Sequence, residues 1–276
     1  MKSVACIIAR TNSSRLPRKV LREINGITLI EHIINKTKRA KGIDQIYLCT
    51  SVDPDDKILL EVAKNNGIEG YAGSRDCVID RMLDVGEKEE ADALIRITGD
   101  NIFTDEVYLD LMIQRHEQHE VEYTRTEYLP VGVTAEIIGY NALKRCRAAI
   151  DPKYSQYLML YMFNPSLYKS LTLFPPKEHR HPNWSLTVDT PEDMQRTLEI
   201  LKDKEIVPNY HEVCRICKEL HPEHLEYSPS GAVKFPADVS ISFDTYRFEM
   251  EKRIAQSQHA EISMQDFREV RDGQRV

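Results

Sequence analysis

The sequence predicts an α/β fold: a Rossmann-like, mostly parallel sheet flanked by helices, with a C-terminal extension. Three observations lead there. Apolar runs of strand length, rich in β-branched residues, recur at residues 4–9, 45–51 and 93–98, and runs of this kind suit buried parallel strands. The intervals between them carry apolar residues at helical spacing, and repeated strand–helix units favour parallel pairing through right-handed crossovers. Finally, 276 residues with 41% hydrophobic and 29% charged side chains suit a globular chain with a sizeable core.

The elements follow in order. Leu29, Ile30, Ile33, Ile34 and Thr37 share a helical face behind Thr28, which is placed as an N-cap. After the strand at 45–51, Asp53-Pro54 offers an N-cap and a proline at the first helical position, and Gly67 a stop. A short strand over 68–71 leads to Gly73-Ser74 and a helix bearing Val78, Ile79, Met82 and Val85 on one face. The strand at 93–98 follows, then a helix from near Asp105, and residues 86–92 read as a charged helix end. Further on, Leu186 and Val188 lie on one face of a strand, and Thr190-Pro191 opens a helix with Asp193 at the capping-box position.

Composition excludes several classes. No stretch approaches membrane-spanning length, and Met1-Lys2 runs directly into a strand too short for a secretory apolar region. The six cysteines are scattered, with Cys6 and Cys49 in predicted core strands, so a cytoplasmic chain with reduced thiols is expected. A net charge of −7 argues against general nucleic-acid binding.

Against that acidic background, Arg10, Arg15, Arg18, Lys19 and Arg22 crowd the loop after the first strand, and the first carboxylate of the chain is Glu23. The hydroxyls of Ser13 and Ser14 sit between the cations. Open α/β sheets place ligands at the carboxyl ends of their strands, and charge of one sign beside hydroxyls suits a polyanion. A solvated basic loop fits these facts equally well. Two aspartates also stand at strand ends, Asp100 in Thr98-Gly99-Asp100-Asn101 and Asp189 in Thr187-Val188-Asp189-Thr190. Asp105 and Thr190 are better placed to cap the helices that follow, which leaves both aspartates without a structural role and without an obvious ion-pair partner. Such a pair on one sheet edge suits a hard cation, Mg²⁺ by preference, held between protein and phosphate.

Four stretches together resemble the sugar-acid cytidylyltransferases of the CMP-KDO synthetase type, and more closely the spore coat polysaccharide biosynthesis branch of that superfamily. They are residues 10–19; Gly73-Ser74 with Asp76, Val78, Asp80 and Arg81; Arg96-Ile97-Thr98-Gly99-Asp100; and residues 186–193. The resemblance implies a sheet of the nucleotide-diphospho-sugar transferase type, CTP as donor, Mg²⁺ as metal, pyrophosphate as leaving group and a sugar or sugar-like acid as acceptor. It implies that Arg10, Ser13, Arg15 and Lys19 hold the triphosphate, with Ala9 beside the nucleotide, and that Gly73, Asp80 and Arg81 lie near base and ribose. Asp100 and Asp189 would hold the metal, and Arg15, Lys19 and Asp100 would carry catalysis. The chain departs from the branch at Asn12 and Arg18, where glycine is usual, at Thr134, where aspartate is usual, and at Gln156-Tyr157, where an acid–histidine pair is usual; Glu136 is kept.

The remaining features have plainer readings. Cys214-Arg215-Ile216-Cys217 is a lone pair within a helical pattern (His211, Val213, Ile216, Leu220), which speaks for packing over zinc. His179-Arg180-His181-Pro182 reads first as a solvated surface loop, and Asp53, Asp55 and Asp56 as acids at a helix start. Ser228-Pro229-Ser230-Gly231 suggests a boundary, giving a nucleotidyltransferase domain over 1–224 and an extension over 225–276 for packing or oligomerisation. Within it, residues 239–243 suggest a strand and 246–256 a helix presenting Phe248 and Ile254 to a partner surface. The expected partners are small molecules, with a homodimer as one option. The competing functions are a nucleotide-sugar glycosyltransferase and a non-catalytic nucleotide-binding protein.

Overall fold

The computed structural model describes residues 1–227, 232–234 and 240–273. The suggested turn at 228–231 and residue 239 lie outside them, as does the side chain of Gln156.

The chain opens with β1 (Ser3–Ile8), then a small hairpin of β2 (Glu23–Ile24) and β3 (Ile27–Thr28), then α1 (Leu29–Thr37). Thr28 caps α1 in a capping box with Glu31, so the helix starts where the sequence places it. β4 (Gln45–Ser51), α2 (Lys57–Asn65) and β5 (Glu69–Gly73) follow, then α3 (Val78–Lys88) and β6 (Ala93–Thr98). α4 (Glu106–Gln118) is capped by Asp105, as expected. The second half supplies β7 (Tyr123–Thr126), β8 (Glu136–Gly139), α5 (Tyr140–Ala149), α6 (Leu158–Met162), β9 (Ser170–Phe174), α7 (Pro191–Ile200) and α8 (Tyr210–Leu220). The tail adds β10 (Ala232–Lys234), β11 (Ser240–Ser242), α9 (Phe243–Gln256), β12 (Gln258–Glu261) and α10 (Met264–Arg271).

Eight strands form one sheet in the order β12-β9-β7-β8-β6-β1-β4-β5, and only β8 runs antiparallel to its neighbours. Alternation along the strands divides the core between two faces. Ala5, Ile7, Ile95 and Ile97 pack with α1, α4, α7, α8 and α10, whereas Val4, Cys6, Leu94 and Ile138 pack with α3, α5, α6 and Met250 of α9. The tail is part of this body: β12 pairs in parallel with β9 through Gln258–Leu171 and Glu261–Phe174, and α10 lies on α4.

Four expectations need correction. Residues 184–189 are not a strand of the sheet but an extended strap that makes isolated bridges, Val131 with Ser185 and Trp184 with Glu226. Leu186 and Val188 are nonetheless buried, so their alternation reports burial without a ladder. Asp53 holds the N-cap position before Pro54, as expected, but its side chain makes no capping bond and instead pairs with Arg75. His179 is fully buried, bonded through Nδ1 to the Tyr108 hydroxyl at 2.8 Å and through Nε2 to His211 at 2.9 Å. In the tail, Phe243 opens α9, which leaves Ser240–Ser242 as strand; Phe248 is exposed, but Ile254 packs against the core.

Candidate active site

The site is assembled where β1, β6 and the strap end together. Gly99 is required there: its amide donates to the Ile8 carbonyl at 2.8 Å, and a Cβ would stand 2.8 Å from that of Ala9 and 3.0 Å from the Ile8 oxygen. Only a residue without a side chain lets the ends of β1 and β6 close up, and this brings Asp100 beside the basic loop. The strap arrives from the other side. Val188 N donates to the Asp100 carbonyl at 2.9 Å, which aligns the two aspartates through the backbone.

Asp189 is fixed by the helix it precedes. One Asp193 oxygen accepts from the amides of Asp189 (2.9 Å) and Thr190 (3.0 Å), and Thr190 Oγ1 accepts from the Asp193 amide at 3.2 Å. The buried guanidinium of Arg196 donates to Asp193 Oδ1 (2.7 Å), to the Thr187 carbonyl (2.6 Å) and to the His224 carbonyl (2.8 Å), clamping the strap onto α7. Gly132, at φ 97°, presses against the strap from the far side; a Cβ there would lie 2.6 Å from Thr187 N.

The basic loop is pinned at its apolar residues and at one buried acid. Leu16 and Val20 are each 2% exposed; between them Arg18 faces outward while Lys19 turns in towards the site. Asp56 accepts from Thr11 N and Thr11 Oγ1, both at 2.7 Å, and from Ser51 Oγ at 2.5 Å. Burial alone would raise its carboxyl pKa, but these donors outweigh burial and hold it below the usual range. This anchor was read from the sequence only as an acid at a helix start, since its partners Thr11 and Ser51 lie 45 and 5 residues away. Thr11, Asn12, Ser13, Pro17, Arg18 and Asp55 line an open cavity of about 420 Å³. Arg18 takes φ 52°, the left-handed region that glycine occupies without cost, whereas Asn12 does not.

The centre is an ionic junction. Lys19 Nζ donates to Asp100 Oδ2 at 2.9 Å and to Asp189 Oδ1 at 2.6 Å, and Arg15 Nη2 lies 3.0 Å from that same Asp189 oxygen. Burial opposes the Lys19 charge, yet the two carboxylates prevail and raise its pKa. The aspartates therefore do have an ion-pair partner, contrary to the sequence reading. Their partner is a residue expected to hold phosphate.

The remaining predicted residues fall around this junction. Ala9 is buried beneath it, and Arg10 reaches the Arg75 carbonyl at 3.3 Å. Gly73 closes β5, and its carbonyl accepts from Val52 N at 3.0 Å. Asp80 is occupied by an ion pair with Arg147 of α5. Arg81 is 1% exposed, and its Nε and Nη1 have no partner among the described residues. Burial first, and Arg10 as well, depress its pKa.

A second polar group lies on the sheet face under α6; the sequence singled out its Arg96, Thr134 and Glu136 but not Tyr123 or Arg125. Glu136 of β8 accepts from Arg96 of β6 and, at 2.6 Å, from the Tyr123 hydroxyl of β7. Thr134 accepts from Thr126 at 2.9 Å, and Arg125 donates to Glu127 at 2.8 Å. Ser155 accepts from Val78 N at 2.9 Å and so ties residues 152–157 to the start of α3. Cys214 and Cys217 are buried, and Cys214 Sγ points to the Glu178 carbonyl at 3.5 Å.

Comparison with known proteins places this geometry in a family. Residues 4–230 match the family model described as Cytidylyltransferase. The chain is 34% identical over 204 residues to the spore coat polysaccharide biosynthesis protein SpsF of Bacillus subtilis, covering 71% of this chain and 85% of that one. It is 27% identical over 186 residues to the 8-amino-3,8-dideoxy-manno-octulosonate cytidylyltransferase of Shewanella sediminis, covering 63% of this chain and 67% of that one. A solved cytidylyltransferase from Leptospira borgpetersenii superposes with a TM-score of 0.74 at 24% identity, over 83% of this chain and 98% of that one, and so shares the fold. Among the described residues no helix is long and apolar enough to cross a membrane. The chain belongs to the cytidylyltransferase family and is a CTP-dependent nucleotidyltransferase.

Proposed function

We propose that the enzyme transfers CMP from CTP to a sugar acid or sugar-like acid in the cytoplasm, with release of pyrophosphate, for surface polysaccharide or glycoconjugate assembly. The observation that carries this is the junction of Asp100, Asp189 and Lys19 at the carboxyl edge of the sheet, under a loop whose other cations face outward. The name of the Shewanella relative supports a sugar acid as acceptor, and that of the Bacillus relative supports polysaccharide assembly.

The donor set fits Mg²⁺. Two carboxylate oxygens already converge on one cationic atom, Lys19 Nζ, and Mg²⁺ favours one or two carboxylates with the rest of its shell from phosphate and water. Asp100 and Asp189 would hold it, and when bound it neutralises charge on the phosphates. The protein's own groups do the rest. Arg10, Ser13, Arg15 and Lys19 align the triphosphate so that an acceptor oxygen attacks the α-phosphorus and pyrophosphate leaves in line. Guanidinium groups suit bidentate phosphate contact, and the lysine offers a compact charge. By the resemblance, Gly73 and Arg81 border the base and ribose, with the buried Arg81 guanidinium behind Gly73. The Arg96–Glu136–Tyr123 group, with Arg125 and Thr134, faces the acceptor side.

A screen of sugar acids with CTP and Mg²⁺, read by pyrophosphate, tests the proposal. Pyrophosphate is expected with at least one acid. Release with neutral sugars alone would overturn the acceptor class.

A further inference from the structure

We propose that Lys19 is the counter-ion of the Asp100–Asp189 pair in the nucleotide-free enzyme, and yields the pair to a divalent cation only when a triphosphate draws its ammonium away. Metal and nucleotide then bind as one event. This rests on the nucleotidyltransferase reading above and goes beyond it, since that reading says which groups meet metal and phosphate but nothing of their order.

The geometry leaves little room for independent binding. Lys19 Nζ sits 2.9 Å from Asp100 Oδ2 and 2.6 Å from Asp189 Oδ1, with its side chain only 13% exposed. An Mg²⁺ ion must approach such oxygens to about 2.1 Å. An ammonium and a dication at those distances from the same oxygens repel strongly, so one must leave. Arg15 adds a second positive charge at 3.0 Å from Asp189 Oδ1, which further disfavours a lone metal. Metal arriving alone would expel Lys19 into solvent with no partner. The triphosphate changes that balance, because it offers Lys19 several anionic oxygens and brings oxygen ligands for the metal. Lys19 also shares its loop with Arg15, which already reaches Asp189, so a triphosphate drawn in by the loop's exposed cations meets Lys19 as well. Coupling of this kind is reciprocal: whatever CTP does for metal affinity, metal does for CTP.

The test uses Mn²⁺ as a spin-visible probe, titrated alone into the parent, Lys19→Met, Lys19→Gln and the double variant Lys19→Met/Asp189→Asn. Both single variants are expected to bind Mn²⁺ alone about tenfold more tightly than the parent, within the roughly 5–150-fold span of site–site coupling. The double variant should lose the gain. Mn²⁺ alone should raise the melting temperature of Lys19→Met and leave the parent unmoved. A parent that binds Mn²⁺ alone as tightly as the lysine variants overturns the inference. If the variants do not fold, the parent decides it: Mn²⁺ must bind at least about fivefold more tightly with CTP than without. The two levels of reading fail differently. If CTP with Mn²⁺ does not bind the parent at all, the site assignment itself is wrong. If it binds but the lysine variants show no gain for Mn²⁺ alone, only the exchange is wrong.

Discussion

Arg15 and Lys19 belong to one loop and touch the same aspartate oxygen, yet their surroundings separate their roles. The Arg15 side chain is 64% exposed, and exposed ion pairs contribute little to stability. Arg15→Ala should therefore lower kcat/KM by an amount equivalent to about 3 kcal/mol, the scale of one charged donor in a preorganised site, while the melting temperature barely moves. Lys19→Ala should lower kcat/KM similarly but also lower the melting temperature of the metal-free protein, because Asp100 and Asp189 then lose the half-buried cation between them and keep only the exposed Arg15 on Asp189. Equal melting temperatures for the two variants would contradict this. The sequence made these cations look alike because Lys19 meets its partners across 81 and 170 residues, a separation that no local pattern carries. Arg18 adds a prediction of opposite sign. Its φ of 52° strains a side-chain-bearing residue, so Arg18→Gly should raise unfolding stability by about 0.5–1 kcal/mol in a denaturant titration. A loss of stability there would mean that the Arg18 side chain makes a compensating contact.

Among elements, the strap that carries Asp189 is the least sheet-like and the most exacting. It is held by Arg196 and by the Thr190–Asp193 capping box on one side and by Gly132 on the other. Gly132→Ala should cost about 1–3 kcal/mol or more, since φ 97° disfavours a side chain and the atoms a Cβ would meet are backbone atoms of Leu186 and Thr187 that cannot turn away. Both melting temperature and CTP affinity should fall; an unchanged melting temperature would show that the strap moves freely. The capping box was legible because all its information lies within four residues, and β1, β6, α1 and α3 were legible because their periodicity is local. β7 and β8 were not. Each is four residues long and carries a charged residue, Arg125 or Glu136, where an apolar run would have announced a strand. β12 was invisible for the same reason: Gln258-His259-Ala260-Glu261 is polar, and only its pairing with β9 makes it a strand.

At the scale of the whole molecule, acid stability depends on buried histidines that the sequence placed on the surface or left unread. Burial pushes His179 down to about 3 and His116 to about 4, so each is neutral in the folded chain and takes up a proton on unfolding. Stability should therefore fall as pH drops from about 6.5 towards 4. Asp105 opposes this: burial raises it to about 6, so it contributes stability at low pH that is lost as pH rises through the same window. Two histidines displaced further than one carboxylate should prevail, and the melting temperature should decline between pH 6.5 and 4. Replacing His116 with Phe should flatten that decline; an unchanged slope would contradict the assignment.

The Asp100–Asp189 pair is where sequence and structure together say most. Two aspartates left without a capping role by Asp105 and Thr190 were legible, although only Asp100 follows a strand, and the lysine between them was not. Metal-free Asp100→Asn and Asp189→Asn should accordingly keep their fold without the gain in stability that relief of like-charge repulsion would bring, because Lys19 already neutralises the pair. The most direct measurement is calorimetric titration of CTP, UTP, ATP and GTP, each with Mg²⁺, into the parent and these two variants. CTP should bind the parent in preference to the other three, and both variants should bind it far more weakly. Equal binding of all four nucleotides, or full CTP affinity in both variants, would contradict the site described here.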